Sequence, residues 1–152
     1  MALQTGDKIP EILGINQNGK EIKASDYRGK KLVLYFYPKD NTSGCTAEAC
    51  SFRDHYADLR KMGYEVVGVS VDNEKSHLKF IEKQQLPFDL IADLAKDLVN
   101  KFGVWGEKSM YGKTYMGTFR TTFLINEQGV IEHVFLPKEI KTATHAGQIL
   151  RR

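Results

Sequence analysis

"KKLVLYFYPKDNTSGCTAEACSFRD", Lys30 to Asp54, is the stretch on which the fold turns. Its first part, "KKLVLYFYP", is a continuous apolar run of β-type residues, the pattern of a strand buried on both faces. Pro38 ends it. From "SGCTAEACSF" onward the composition shifts to Ala, Glu, Arg and Leu, and "SGCTAEACSFRDHYADLRKMG" reads as one helix closed by Gly63. Ala49, Phe52, Tyr56 and Leu59 form its expected buried stripe. At the junction, Thr42 and Ser43 are both good N-cap residues, and Gly44 lets the backbone turn tightly.

Outward from this strand–helix unit the chain continues the alternation. Upstream, "EILGINQNGKEIKASDYRG" predicts two short strands around Asn18-Gly19, a hairpin turn signal. Downstream, "YEVVGVSVD" is a second buried strand, "NEKSHLKFIEKQQ" an amphipathic helix stopped before Pro87, and "FDLIAD" a short strand. "LAKDLVNKFG" predicts a helix ending at Gly103. "FRTTFLIN" and "VIEHVFL" flank "EQG" as a hairpin, and "IKTATHAGQILR" closes the chain as a helix. Strand–helix–strand–helix followed by a hairpin and a helix is the thioredoxin order. The expectation is an α/β, thioredoxin-like fold: a mixed central sheet flanked by helices, with an N-terminal β-hairpin extension. At 152 residues without a linker or repeat, residues 1–152 are expected to form a single domain.

Composition narrows the function classes. The 22 basic residues are scattered among 19 acidic ones for a net charge of +3, and no basic stripe interleaves with stacking aromatics, so nucleic acid is not an expected partner. "MALQTGDKIPEIL" lacks a signal-peptide core, and "LVLYFY" and "YEVVGVSV" fall far short of the roughly 20 apolar residues that span a bilayer. The reading is a soluble, cytoplasmic chain with no membrane partner. In a reducing compartment two cysteines are thiols or a transient redox pair more often than a permanent bridge.

Those cysteines, Cys45 and Cys50, have C-x4-C spacing. Cys45 falls at the start of the helix, where unpaired N–H groups and the positive dipole end favour a thiolate. Cys50 lies five positions on. Five helical residues rise about 7.5 Å and rotate about 140°, which separates the Cα atoms by roughly 8.7 Å. A disulfide needs about 4.4–6.8 Å. The pair cannot bond while the helix is intact, and bonding would demand local unwinding. Plain packing residues remain an alternative on spacing alone. A structural zinc needs four ligands, and none of His55, His77, His133 or His145 stands at a recognised spacing from the cysteines. A catalytic thiolate needs a cation, and Arg120, at the opening of "FRTTFLIN", is the candidate by pattern: an arginine entering a buried strand is costly unless paired or functional. A strand-end arginine reaching into solvent is the alternative. Thr42 can supply a hydroxyl, and Pro38 fixes the strand exit and helps exclude water.

These residues together resemble the peroxiredoxins, most closely the bacterioferritin comigratory protein type, an atypical two-cysteine branch. Pro38, Thr42 and Cys45 fill the family pattern Pro-x3-Thr-x2-Cys. Cys50 matches the branch's resolving cysteine, and Arg120 matches its distant arginine. "FGVWGEKSMYGKTYMG" is also typical of the branch, so the likeness runs from "GDKIPEI" to the last helix with His145. Two departures are visible: Ser43 stands where the branch commonly has Pro, and Asn126 where it commonly has Asp.

The resemblance implies a thiol peroxidase. Cys45 would attack hydrogen peroxide or a small organic hydroperoxide and become a sulfenic acid. Arg120 and the Cys45 N–H would offset developing charge, Thr42 would orient the peroxide, and Pro38 would shield the sulfur. Cys50 would then form an intramolecular disulfide, recycled by thioredoxin or a similar dithiol. No metal, haem or flavin cofactor is implied, and the chain would be a monomer or weak homodimer. Tyr37, with Phe36, would wall the pocket and contact substrate unless it is plain core. Glu48, one turn from Cys45, would hold Arg120 in place as a supporting anion, or simply be a first-turn acid favoured by the dipole. Trp105 reads as a loop aromatic, and the histidines as structural or surface groups. A redox-switched binding module, using the Cys45–Cys50 disulfide without turnover, is the rival function, and a non-catalytic thioredoxin-fold scaffold a third.

Overall fold

The structure, a computed structural model, describes residues 2–152. Its centre is a five-stranded mixed sheet of β3 (Lys31–Phe36), β4 (Tyr64–Ser70), β5 (Asp89–Ala92), β8 (Thr121–Ile125) and β9 (Ile131–Phe135), in the order β5-β4-β3-β8-β9. β3 runs parallel to β4 and antiparallel to β8, and so sits in the middle as its unbroken apolar run predicts. Alternation along the strand divides the core in two. Val33, Tyr35 and Tyr37 enter one cluster with Cys45, Ala49, Phe52, Leu59 and Phe80. Leu32, Leu34 and Phe36 enter the other, with Leu98, Val99, Phe102 and Phe123.

The first cluster is covered by α1 (Ser43–Asp54), α2 (Tyr56–Lys61), α3 (Glu74–Gln84) and α5 (His145–Leu150), and the second by α4 (Asp97–Lys101) and the N-terminal hairpin. That hairpin, β1 (Ile12–Ile15) and β2 (Glu21–Lys23), turns through Gly19 at φ +75°, with Asn16 Oδ1 accepting from the Asn18 and Lys20 amides. The thioredoxin-like α/β architecture and its N-terminal extension are both present. Among the described residues no helix is long and apolar enough to cross a membrane.

Three elements depart from the sequence reading. The single expected helix over Ser43–Gly63 is two, because His55 leaves helical geometry (φ −112°, ψ 15°) and a ring nitrogen lies 3.1 Å from Ser51 O. The expected helix over Leu94–Gly103 shortens to Asp97–Lys101. Its start is held by Asp93, whose carboxylate accepts from the Leu98 and Val99 amides. The segment "VWGEKSMYGKTYMGT", to which the sequence reading assigned no strand, is an antiparallel hairpin of β6 (Trp105–Met110) and β7 (Lys113–Thr118). Tyr111 and Gly112 turn it with φ of +53° and +77°, the double positive φ of a type I′ turn. Trp105 therefore opens a strand, with Lys96 Nζ 5.5 Å from its ring, on the side of the sheet opposite α1.

Candidate active site

The chain leaves β3 through Pro38 and enters α1 within a few residues. Asn41 takes φ +63°, and Thr42 is the N-cap by position. Its hydroxyl does not cap the helix; it donates to Lys39 O at 2.8 Å. This closes the turn and leaves the hydroxyl oxygen free to accept. Cys45 is the third helical residue, ahead of the first intrahelical bond from Thr46 N to Thr42 O, so its N–H is one of the donors a helix start leaves unpaired. The thiol is 1% exposed.

β8 brings the cation. It pairs antiparallel with β3, Thr121 opposite Phe36, so Arg120 stands where β3 exits toward Pro38. Nη2 of Arg120 is 3.3 Å from Cys45 Sγ, and Nη1 is 2.6 Å from Glu48 Oε1. One planar guanidinium thus bridges the sulfur and a carboxylate one turn further along α1. Gly44 makes room: a Cβ there would lie 3.2 Å from Arg120 Nη2. Burial works against the charge on Arg120, but Glu48 and Cys45 outweigh it and hold the guanidinium protonated.

Glu48 is fully buried. Burial pushes its carboxyl up to about 7, against the pull of Arg120. Its Oε2 has no hydrogen-bond partner among the described residues and lies 4.0 Å from His145 Nε2. His145 is itself buried in α5, bonded through Nε2 to Thr122 Oγ1 and through Nδ1 to Gln148 Oε1, both at 2.8 Å. Burial pushes its imidazole down to about 4. The hairpin adds Lys108, whose Nζ donates to Thr118 O at 2.9 Å and stands 5.9 Å from the Phe119 ring. Burial, then Arg120, lowers the Lys108 pKa, while Cys45 raises it. His145 entered the sequence reading only through the family likeness of the last helix, without a role, and Lys108 was not singled out. A helix histidine and a strand lysine acquire this setting only from the packing of α5 and the hairpin.

Cys50 is half-buried in the second turn of α1, its Sγ 3.5 Å from Gln84 Oε1. Both thiols are free, and the helix that separates them is unbroken. Arg53 Nη1 donates to Gln84 O at 2.7 Å and ties this part of α1 to the end of α3. Pro38 is half-buried beside the loop.

Tyr37 departs from its expected place on the pocket wall. It is 1% exposed and its hydroxyl donates to Asp40 at 2.6 Å, so it belongs to the core under the loop. Phe36 points to the opposite face of the sheet. Asp40, Asp72 and His77 bring three potential metal-ligand atoms within 4.8 Å of one another. Those atoms are already engaged. Asp40 binds Tyr37, Ser76 and His77, and Asp72 accepts from Ser70 and the Asp40 amide. The network anchors the Pro38–Thr42 loop to α3.

Comparison with known proteins follows the same outline. The AhpC/TSA family model matches residues 5–134. Peroxiredoxin Bcp of Escherichia coli (strain K12) is 42% identical over 148 residues, covering 97% of this chain and 94% of the relative. Peroxiredoxin Bcp of Bacillus subtilis (strain 168) is 41% identical over 151 residues, covering 99% and 95%. Among solved structures, a mutant of Xylella fastidiosa PrxQ superposes with a TM-score of 0.89 at 32% identity, covering 99% of this chain and 95% of that one. The Xanthomonas campestris bacterioferritin comigratory protein, whose structure is described in terms of alkyl peroxide reduction, gives 0.84 at 35% identity, covering 95% and 96%.

Proposed function

The chain belongs to the AhpC/TSA family, in the Bcp/PrxQ branch of the peroxiredoxins, and is a thiol peroxidase; on that premise we propose that Cys45 is the residue that attacks the peroxide and Cys50 the one that resolves it. The observation that carries the assignment is the bridge from Arg120 to Cys45 Sγ and Glu48 Oε1. A simple disulfide switch needs two thiols but no cation held against one of them, so the bridge favours turnover over the redox-switched binding module.

The Cys45 thiolate attacks the terminal oxygen of the hydroperoxide. The O–O bond breaks, the sulfur takes the terminal OH and is oxidised to the sulfenic acid, and the other oxygen leaves as an anion that picks up a proton to become water or an alcohol. Arg120 offsets negative charge on the sulfur before attack and on the oxygens during it, and the Cys45 N–H adds a second donor. Thr42 accepts from the peroxide O–H, since its own hydrogen is directed to Lys39 O. Pro38 limits water at the sulfur, and Glu48 fixes the plane of the guanidinium. The Cys50 thiol then displaces water from the sulfenic acid to give the disulfide, and a thioredoxin-type dithiol reduces it. Small alkyl hydroperoxides are expected substrates beside hydrogen peroxide, in line with the alkyl peroxide reduction described for the Xanthomonas campestris protein.

Peroxide consumption with dithiothreitol or thioredoxin as reductant tests the assignment. Cys45→Ser is expected to abolish it. Cys50→Ser is expected to block turnover with thioredoxin and spare the first oxidation of Cys45. Full turnover by Cys45→Ser would overturn the assignment.

A further inference from the structure

We propose that His145 is a positioning residue for the resolving step: it withholds a donor from Glu48, so Glu48 sheds a proton when α1 unwinds, and rising pH favours closure of the Cys45–Cys50 disulfide. The inference rests on the roles assigned to the two thiols above. Glu48 lies between Cys45 and Cys50 on the one helix that must open. No path that brings Cys50 to Cys45 can leave Glu48 in its pocket.

The protonation of His145 follows from its neighbours. Gln148 Nε2 donates to Glu139 O at 2.8 Å, and its Oε1 accepts from the Lys141 amide at 3.0 Å. That orients the amide, so the atom facing His145 Nδ1 is an acceptor and Nδ1 must carry the hydrogen. In the neutral ring Nε2 is then an acceptor, taken up by the Thr122 hydroxyl. The group 4.0 Å from Glu48 Oε2 is therefore a lone pair and not an N–H. The other titratable groups facing Glu48 leave that oxygen unserved. Arg120 binds Oε1, and the buried Tyr35 hydroxyl makes no hydrogen bond. Cys45 brings negative charge when ionised. A buried carboxylate with one bare oxygen holds its proton more tightly than one in water.

In the intact helix Glu48 is raised from the ordinary 4.5 to about 7, chiefly by burial. Unwinding returns it to water. The opening equilibrium then gains about tenfold per pH unit from about 4.5 to about 7 and levels off above, a span of about 300-fold.

Amide hydrogen exchange of α1 in the reduced protein, divided by the intrinsic chemical rate at each pH, measures this opening without disulfide chemistry. The opening constant is expected to rise steeply between pH 5 and 7 and to flatten above. His145→Gln puts an N–H donor within reach of Glu48 Oε2, and the rise should shrink by more than about tenfold; Glu48→Gln should remove it even if His145→Gln does not fold. A pH-independent opening constant in the wild-type protein overturns the proposal, and an unchanged rise in a folded His145→Gln overturns the part given to His145. Sulfenic acid trapping at Cys45 with a dimedone probe is read separately. Its absence would sink the thiol assignments, whereas its presence with flat exchange sinks only this inference.

Discussion

Arg120 Nη2 reaches Cys45 Sγ at 3.3 Å across 75 positions of sequence, while Nη1 of the same group holds Glu48 at 2.6 Å. The register of β8 on β3 fixes where Arg120 starts, and Gly44 lacks the Cβ that would press on Nη2 at 3.2 Å. Sheet topology, helix start and a glycine thus converge on a single guanidinium.

Arg120→Lys keeps the charge but not the two-pronged geometry, because an ammonium cannot present parallel donors to sulfur and carboxylate. The second-order rate of Cys45 oxidation, followed by stopped-flow, should fall about 10²–10³-fold, the range for loss of one aligned donor. Arg120→Met should also leave Glu48 buried and unpaired. A loss of a few kcal/mol, about 3–5 for a buried pair broken on one side, is expected in urea unfolding at pH 8. At pH 5, where Glu48 is protonated, much of that loss should vanish.

Gly44→Ala separates stability from activity. Alanine is the better helix residue by roughly 0.5–1 kcal/mol, but its Cβ would press on Arg120 Nη2 at 3.2 Å. The guanidinium must give way by a few tenths of an ångström. The thermal midpoint should hold or rise, while peroxide reactivity falls about tenfold. Equal reactivity in the variant would show that the approach of Arg120 to the helix start is not critical.

How much of this was legible before the structure depends on where each signal is written. The buried run over Leu32–Phe36 admits one reading, and its alternation sorts the two core clusters without further information. Arg120 was legible because a cation at the mouth of an apolar strand is costly. Glu48 was legible as a partner because it sits one turn from Cys45. Tyr37 misled, since an aromatic beside the motif can face either core or pocket, and only the placement of Asp40 decides. The β6–β7 hairpin was illegible because Lys113–Met116 face solvent with no apolar alternation, and Tyr111-Gly112 is not the Asn-Gly turn that signals a hairpin. With the hairpin went Lys108. The break at His55 and the cap by Asp93 each depend on a side chain competing for backbone groups, which propensity does not record.

Arg53→Met should speed resolution. Arg53 ties α1 to the carbonyl at the end of α3. A charged hydrogen bond of this kind contributes about 1.5–3 kcal/mol when buried, and less here because the side chain is a third exposed. Disulfide closure after one equivalent of peroxide should accelerate about threefold to tenfold, with Cys45 oxidation unchanged. A slower closure would mean that the anchor orients Cys50 and does not restrain it.

Oxidation should cost helix. α1 is the longest helix in the chain, at twelve residues, and it contains both thiols. Far-UV circular dichroism of the disulfide form should show a weaker 222 nm signal (a wavelength of about 222 nm is where helix dominates), restored by dithiothreitol. An unchanged spectrum would contradict the geometric argument that the pair cannot bond across an intact helix.

Global stability should be nearly flat with pH where α1 opening is steep. Glu48 is raised in the folded chain, from 4.5 to about 7. Its contribution is complete below the unfolded value and is lost as pH rises through the folded one. His145 is depressed, from 6.5 to about 4, chiefly by burial. Its contribution is complete above 6.5 and is lost as pH falls toward 4. Between about pH 4.5 and 6.5 the two slopes are opposite and each is near 1.4 kcal/mol per unit, so complete unfolding, which exposes both, hides them. Glu48→Gln removes one of the pair. Urea midpoints of that variant should then climb from pH 4.5 to 6.5 while the wild-type midpoints stay level. A level profile in both proteins would mean that burial shifts neither group: His145 would not be held neutral nor Glu48 protonated, and the tautomer assigned to His145 through Gln148 would fall with them.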